Sequence, residues 1–376
     1  MGFANHQVRR VLIYRLGSLG DTVVALPCFH LIARTFPNAE RRLLTNLPVD
    51  PRAPSIASVL GESGLVNSYL SYPIGLRRIA ALCRLSALIR RFRPDVLVYL
   101  AEPRSTKTIV RDVAFFCASG VKKMIGIPWR KSDRFTQRIS TSECYEHEAT
   151  RLARCISVLG NARVDDPASW DLHLGDAERL EVNRLLRCWP GRKRFLVCGV
   201  GTKVDAKDWG AEKWRHLLGR VSCEHPDMGL SLVGAPEEAA VSNEAAAEWR
   251  GPLLNLCGVI SPRKTAALLE EADLYVGHDS GPMHLAAAVG TRCVAVFSSR
   301  SFPGVWFPIG TGHRVIYHHV HCAGCGLERC LNYAKACINS ITVEEVHAAV
   351  SAALTESWMG KLEKSIQQMS RDVSLQ

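Results

Sequence analysis

No apolar run in this 376-residue sequence approaches the ~20 residues that a membrane-spanning helix needs. The opening residues, Met1-Gly-Phe-Ala-Asn-His6, carry neither a basic leader nor a cleavage site, and His6 stands where a myristoylation signal wants Ser or Thr. The chain is therefore expected to be cytoplasmic. Gly17-Ser-Leu-Gly-Asp21 lacks the third glycine of a dinucleotide fingerprint, and no acid follows at the right distance on a second strand. That weakens any oxidoreductase reading. Ser280, in Asp279-Ser-Gly281, is not set in a Gly-x-Ser-x-Gly elbow, so a serine hydrolase is set aside. Acids are missing between Arg77 and Arg93, where six arginines fall (77, 78, 84, 90, 91 and 93). From Lys122 to Arg138 six more basic residues face only Asp133. Each cluster reads either as a solvated helix face or as a surface for an anionic partner, a phosphorylated acceptor or a membrane.

What is present is an ordinary globular composition, 47% hydrophobic and 22% charged, with a net charge of +11. The length exceeds what one core usually organises, so two domains are expected. Ten of the fourteen cysteines are scattered singly through apolar stretches and read as reduced, buried small hydrophobes.

The first half opens with a strand at 11–14, a turn at 17–21 and a helix at 22–35. Strands at 42–45, 95–100 and 123–127 follow, alternating with helices at 76–92 and 106–118. Residues 128–143 read as a polar, mobile loop. Trp189-Pro-Gly-Arg192 marks a boundary, giving domains 1–188 and 189–376. After it the alternation restarts, with strands at 194–198, 230–234, 253–256, 273–277 and 292–297. Strands alternating with helices imply two doubly wound parallel sheets, and ligands are expected in an interdomain cleft at the carboxyl ends of the strands.

Asp279-Ser-Gly-Pro-Met-His284 follows a buried strand and opens an alanine-rich helix. The free N–H groups and partial positive charge there suit a diphosphate, and Gly281 permits close approach. The plainer alternative is an N-cap and a core helix. Asp21, at the end of the first strand and loop, is either a base toward an acceptor hydroxyl or a helix cap. Lys207, in the loop after the first strand of the second half, is either a phosphate contact or a surface lysine. Cys322-x2-Cys325-x4-Cys330-x6-Cys337 is the one cysteine cluster, a candidate structural zinc or iron site or a set of free thiols.

Taken in order, Gly17-Ser-Leu-Gly-Asp21 with Ala-Leu-Pro27, Lys207-Asp-Trp209 with Trp214, Gly234-Ala-Pro-Glu-Glu238 and His278-Asp-Ser-Gly-Pro-Met-His-Leu-Ala-Ala-Ala288 resemble the heptosyltransferases of glycosyltransferase family 9. The four cysteines resemble a pattern seen in many members. The resemblance implies a GT-B fold of two Rossmann-like domains, the first binding the acceptor and the second ADP-heptose. It implies inverting transfer with Asp21 as base, Lys207 and Thr202 on the phosphates, and Asp279, Ser280, Gly281 and His284 as the donor loop. Glu238, or its neighbour Glu237, matches the acid on the ribose. No catalytic metal and no nucleic acid is implied. An anionic glycan or glycolipid acceptor, met by Arg84 and Arg91 near the inner membrane, is the expected partner. Another nucleotide sugar, UDP- or GDP-linked, and a binding protein without catalysis are the alternatives.

Overall fold

A computed structural model describes residues 8–46, 54–73, 78–187 and 189–357. Arg77 and the opening residues Met1 to His6 lie outside the described residues. Two units are formed, residues 1–175 with 303–306 and residues 176–302 with 307–376. The chain thus divides ahead of the Pro190-Gly191 turn, because the helix that precedes the turn packs in the second unit.

The first unit runs β1 (Arg10–Tyr14), α1 (Leu19–Val24), α2 (Leu26–Thr35), β2 (Glu40–Asn46), α3 (Ile56–Leu60), β3 (Ser68–Tyr72), α4 (Ile79–Phe92), β4 (Val96–Tyr99), α5 (Thr106–Ala118), β5 (Met124–Ile125), α6 (Lys131–Arg134) and α7 (Glu148–Cys155). Its five strands lie in the order β3-β2-β1-β4-β5, all pairs parallel. Val96 to Tyr99 are all buried, as a strand covered on both faces requires. The helix expected over 22–35 is broken at Ala25, because Pro27 has no N–H to offer the carbonyl of Val23. Right-handed crossovers place α1 to α3 on one face of the sheet and α4 and α5 on the other, since the chain leaves β1 in one direction and returns past it to β4.

The second unit runs α8 (Asp176–Arg187), β6 (Phe195–Gly199), α9 (Ala211–Glu224), β7 (Gly229–Leu232), α10 (Ala239–Ala245), β8 (Leu253–Asn255), α11 (Pro262–Glu271), β9 (Leu274–His278), α12 (Gly281–Ala288), β10 (Cys293–Phe297), β11 (Arg314–Tyr317) and α13 (Ala336–Asn339), and residues 343–357 are helical. Six parallel strands follow the order β11-β10-β9-β6-β7-β8. Trp209, Trp214, Leu217, Leu230, Val276 and Val350 belong to one buried cluster on this sheet. Helix α8 is tied to α11 by Arg179 on Glu270 at 2.8 Å and Arg263 on Glu178 at 3.0 Å.

The segment 128–143 departs from the polar, mobile loop expected of it. Arg151 donates to the carbonyl of Asp133 at 2.9 Å, Ile139 N–H to Cys144 O at 2.9 Å, and Glu146 N–H to Gln137 O at 2.8 Å. Its backbone is thereby fixed, while Trp129, Phe135 and Ile139 are exposed.

Candidate functional site

All strands of a sheet point the same way, so the residues that follow them collect at one edge. In the second unit this edge gathers the exits of β6, β7 and β9. His278, the last residue of β9, is fully buried, and its Nε2 accepts from the Trp209 N–H at 3.0 Å and the Trp214 indole N–H at 3.3 Å. Burial pushes the His278 imidazole down to about 4, aided by Lys207 and opposed by Asp208. It is thus a neutral acceptor that fixes the Lys207-Asp-Trp209 loop to the strand end. Sequence reading gave His278 no role. Its place beside two tryptophans in the same motif set was the available signal.

Lys207 Nζ, held by that loop, lies 2.6 Å from Asp279 Oδ2 and donates to the Asp279 carbonyl at 3.1 Å. Asp279 Oδ1 faces His284 Nε2 at 3.7 Å. Burial alone would raise the Asp279 carboxyl, but Lys207 and His284 outweigh it and hold it well below its ordinary value. Ser280 then caps α12 without spending its hydroxyl on the helix: Oγ is buried and makes no cap bond. The N–H groups of the first turn, the Ser280 hydroxyl and the Lys207 ammonium therefore stand together around the start of α12, with Pro282 costing no hydrogen bond there. Thr202 precedes them, its Oγ1 accepting from Val204 N–H at 3.3 Å.

Glu238 reaches the same edge after β7. Its Oε2 accepts from Ala235 N–H at 2.7 Å. A Cβ on Gly201 would lie 2.1 Å from Glu238 Cδ, and one on Gly234 would lie 2.4 Å from Oε2, so both glycines leave room for this carboxylate. Glu237 is exposed, whereas Glu238 is half-buried.

In the first unit, Asp21 is the third residue of α1 and closes a capping box: its Oδ2 accepts from Ser18 N–H at 2.7 Å and Ser18 Oγ at 2.9 Å. The helix-cap reading of Asp21 is thus what this geometry shows, while Oδ1 lies 3.9 Å from Arg15 Nη2 and the side chain keeps 20% of its exposure. Arg15 is fully buried, donating to Leu100 O at 2.9 Å and Asp21 O at 2.6 Å. Gly17 has φ +120°, and a Cβ there would meet Asp21 Cβ at 2.5 Å. Glu102, two residues beyond Leu100, was not anticipated from sequence. Burial and the charge of Asp21 raise its carboxyl above the ordinary range, against Arg15 and Arg104.

Arg84 and Arg91 are exposed on α4, the sheet face opposite α1, and are not gathered with Asp21. The four C-terminal cysteines do share one small cavity, with Ala206, Leu327 and Tyr333 also in its wall. Burial and the neighbouring thiols of Cys325, Cys337 and Cys330 raise the Cys322 thiol, whereas backbone N–H groups of Lys335 and Tyr333 lower that of Cys330. All four are free, and among the described residues no group of three or more His, Cys, Asp or Glu is arranged to hold a metal ion. Of the two readings of Cys322, Cys325, Cys330 and Cys337, the structural zinc or iron site is therefore not supported among the described residues, and the free thiols are what the structure shows. Lining a cavity wall is not convergence on one point at the ~2.3 Å that thiolate ligands need.

A family model described as glycosyltransferase family 9 (heptosyltransferase) matches residues 114–335, more than half of the chain. The chain belongs to glycosyltransferase family 9. It is 22% identical over 296 residues to lipopolysaccharide heptosyltransferase 3 of Escherichia coli, covering 74% of this chain and 81% of that one. Among solved structures it is similar to the glycosyl transferase family 9 of Veillonella parvula DSM 2008, with TM-score 0.68, 16% identity and coverage of 93% and 98%. It is also similar to the E. coli ADP-heptose lps heptosyltransferase II, with TM-score 0.63, 18% identity and coverage of 92% and 99%. The two parallel α/β units are those of the GT-B fold, and this family 9 chain is a glycosyltransferase. Among the described residues no helix is long and apolar enough to cross a membrane.

Proposed function

We propose that this family 9 enzyme transfers heptose from ADP-heptose to a hydroxyl of an anionic bacterial surface glycan, a lipopolysaccharide core or a related glycolipid, with inversion and without a covalent intermediate. The observation that carries the reading is the Lys207–Asp279 pair beside the first turn of α12. A buried carboxylate holds an ammonium beside a helix N-terminus, which presents fixed N–H donors and a helix dipole to a leaving diphosphate. Asp279 thus positions Lys207. Lys207, the first N–H groups of α12, Ser280, Gly281, His284 and Thr202 hold the phosphates, and Glu238 rather than the exposed Glu237 holds the ribose. The first unit holds the acceptor, whose attacking hydroxyl gives its proton to Asp21 Oδ1 as oxygen bonds to the anomeric carbon and the sugar–phosphate bond breaks. The names of relatives, a lipopolysaccharide heptosyltransferase and a lipooligosaccharide heptosyltransferase, support this acceptor class.

A panel of ADP-, UDP- and GDP-sugars in thermal-shift assays tests the donor, since a ligand at 100 times its Kd stabilises by about 2.7 kcal/mol. ADP-heptose alone should raise the melting temperature, and nucleotide release should then depend on added acceptor. Stabilisation by a UDP- or GDP-sugar instead would replace the donor. Binding without release in the presence of heptose-acceptor glycans would point to a protein without catalysis.

A further inference from the structure

The segment 128–143 is held at its backbone yet turns its largest side chains to solvent. Its anchors are polar: Arg151 and Ile139 fix the chain as described, Arg134 donates to Thr106 Oγ1 and to Trp129 O, and Arg154 bonds Ser132 O and Glu146. A segment with this many internal bonds has little freedom to fold its apolar groups inward. Trp129 is 53% exposed, Phe135 51% and Ile139 41%. Between them stand Arg130, Lys131 and Arg138, all exposed, and no carboxylate pairs with any of the three among the described residues. Asp133, the one acid between Lys122 and Arg138, is engaged by Arg154 at 3.5 Å. The Arg134–Thr106 bond seats the segment on the start of α5, where Lys107 in the first turn is exposed and Val110 in the next is 51% exposed. That turn follows β4 at the same sheet edge as Asp21 and Glu102.

We propose that this surface is where the protein docks on an anionic lipid bilayer. Trp and Phe seat at the boundary between headgroups and acyl chains, and unpaired Arg and Lys beside them meet acidic headgroups. A soluble phosphate compound would need buried, converging donors, whereas these cations are exposed and alternate with apolar groups. A protein partner would be expected to supply carboxylates in register, yet nothing in the arrangement selects single positions. Charge complementarity, all basic against an anionic sheet, favours lipid. Docking here brings the carboxyl edge of the first unit to the bilayer, where a lipid-borne acceptor presents its glycan. The inference goes beyond the proposed transfer and does not depend on which sugar is moved.

The test is co-sedimentation of the full chain with vesicles of phosphatidylcholine, with and without phosphatidylglycerol. Binding should require phosphatidylglycerol and weaken with salt. R130E/K131E/R138E should lower it by roughly fivefold or more per charge, and Trp129→Ala with Phe135→Ala should lower it at least tenfold, both variants melting like the parent. The control Leu331→Ala with Arg329→Glu, also exposed but in the second unit, should bind as the parent does. No binding to acidic vesicles, equal binding to neutral ones, or binding that survives both variants overturns the proposal. Loss of binding with transfer to a soluble acceptor retained would support docking independently of the catalytic reading.

Discussion

Lys207 Nζ and Asp279 Oδ2 lie 2.6 Å apart, joining the exit of β6 to the exit of β9 across the sheet. Asp279 is buried and Lys207 only half-buried, so the two members should not be equivalent to mutation. Lys207→Ala leaves the buried Asp279 carboxylate with His284 alone beside it and should destabilise the chain by up to about 3–5 kcal/mol, besides losing a leaving-group contact worth about 10²–10³ in kcat. Lys207→Ala with Asp279→Ala should recover most of the stability and none of the turnover. Urea denaturation and steady-state kinetics on the two singles and the double form the cycle, and recovered turnover in the double would remove Lys207 from the leaving group.

Asp21 is both cap and proposed base, and the two roles separate by substitution. Asp21→Asn keeps an oxygen for Ser18 but cannot take a proton, so kcat should fall by about 10²–10⁴ with the melting temperature nearly unchanged. Asp21→Ala should lose the same activity and in addition about 0.5–2 kcal/mol of cap stability. An Asn variant with wild-type turnover would dismiss the base assignment.

His278 predicts a pH dependence of stability. Its folded value of about 4 lies below the unfolded 6.5, so below pH 6.5 the unfolded chain binds the proton that the folded chain refuses. Stability is therefore full above pH 6.5 and declines as pH falls toward about 4, by on the order of 3 kcal/mol in total. Urea midpoints followed over this window should show the slope, and His278→Gln should flatten it. Asp279 acts in the same direction at lower pH, since its depressed carboxyl contributes stability above about pH 4 that is lost on further acidification.

Gly201 and Gly17 are predicted to fail in different ways. A methyl group on Gly201 meets the Glu238 carboxyl and should raise the donor KM with kcat less affected. On Gly17, at φ +120°, it displaces Asp21 and adds about 1–3 kcal/mol of backbone strain, so kcat should fall with the donor KM retained. Donor titrations of both variants distinguish the two patterns, and equal loss of kcat in both would contradict them.

Much of the architecture was legible in the chain itself. Two alternating series of short apolar runs and helical patterns dictate two parallel sheets, because a strand covered on both faces must be apolar throughout. Gly17, Asp21, Lys207 and the 277–288 run were readable because tight turns and a helix start after a strand leave local signatures. Residue pairings were not local. Only the folded sheet sets Lys207 on Asp279, Gly201 against Glu238 and Glu102 near Asp21, since each pair is far apart in sequence and meets only where parallel strands end together. The break at Ala25 and the hydrogen-bonded, outward-facing 128–143 segment likewise depended on what neighbours withhold or supply. The four cysteines show the limit of spacing as evidence: they line one cavity, yet among the described residues no group of His, Cys, Asp or Glu is arranged to hold a metal ion. Composition and periodicity thus determined the fold class, the motif resemblance singled out the candidate groups, and tertiary structure decided which of those groups lie together, because burial and hydrogen-bond partners exist only once the sheet has formed.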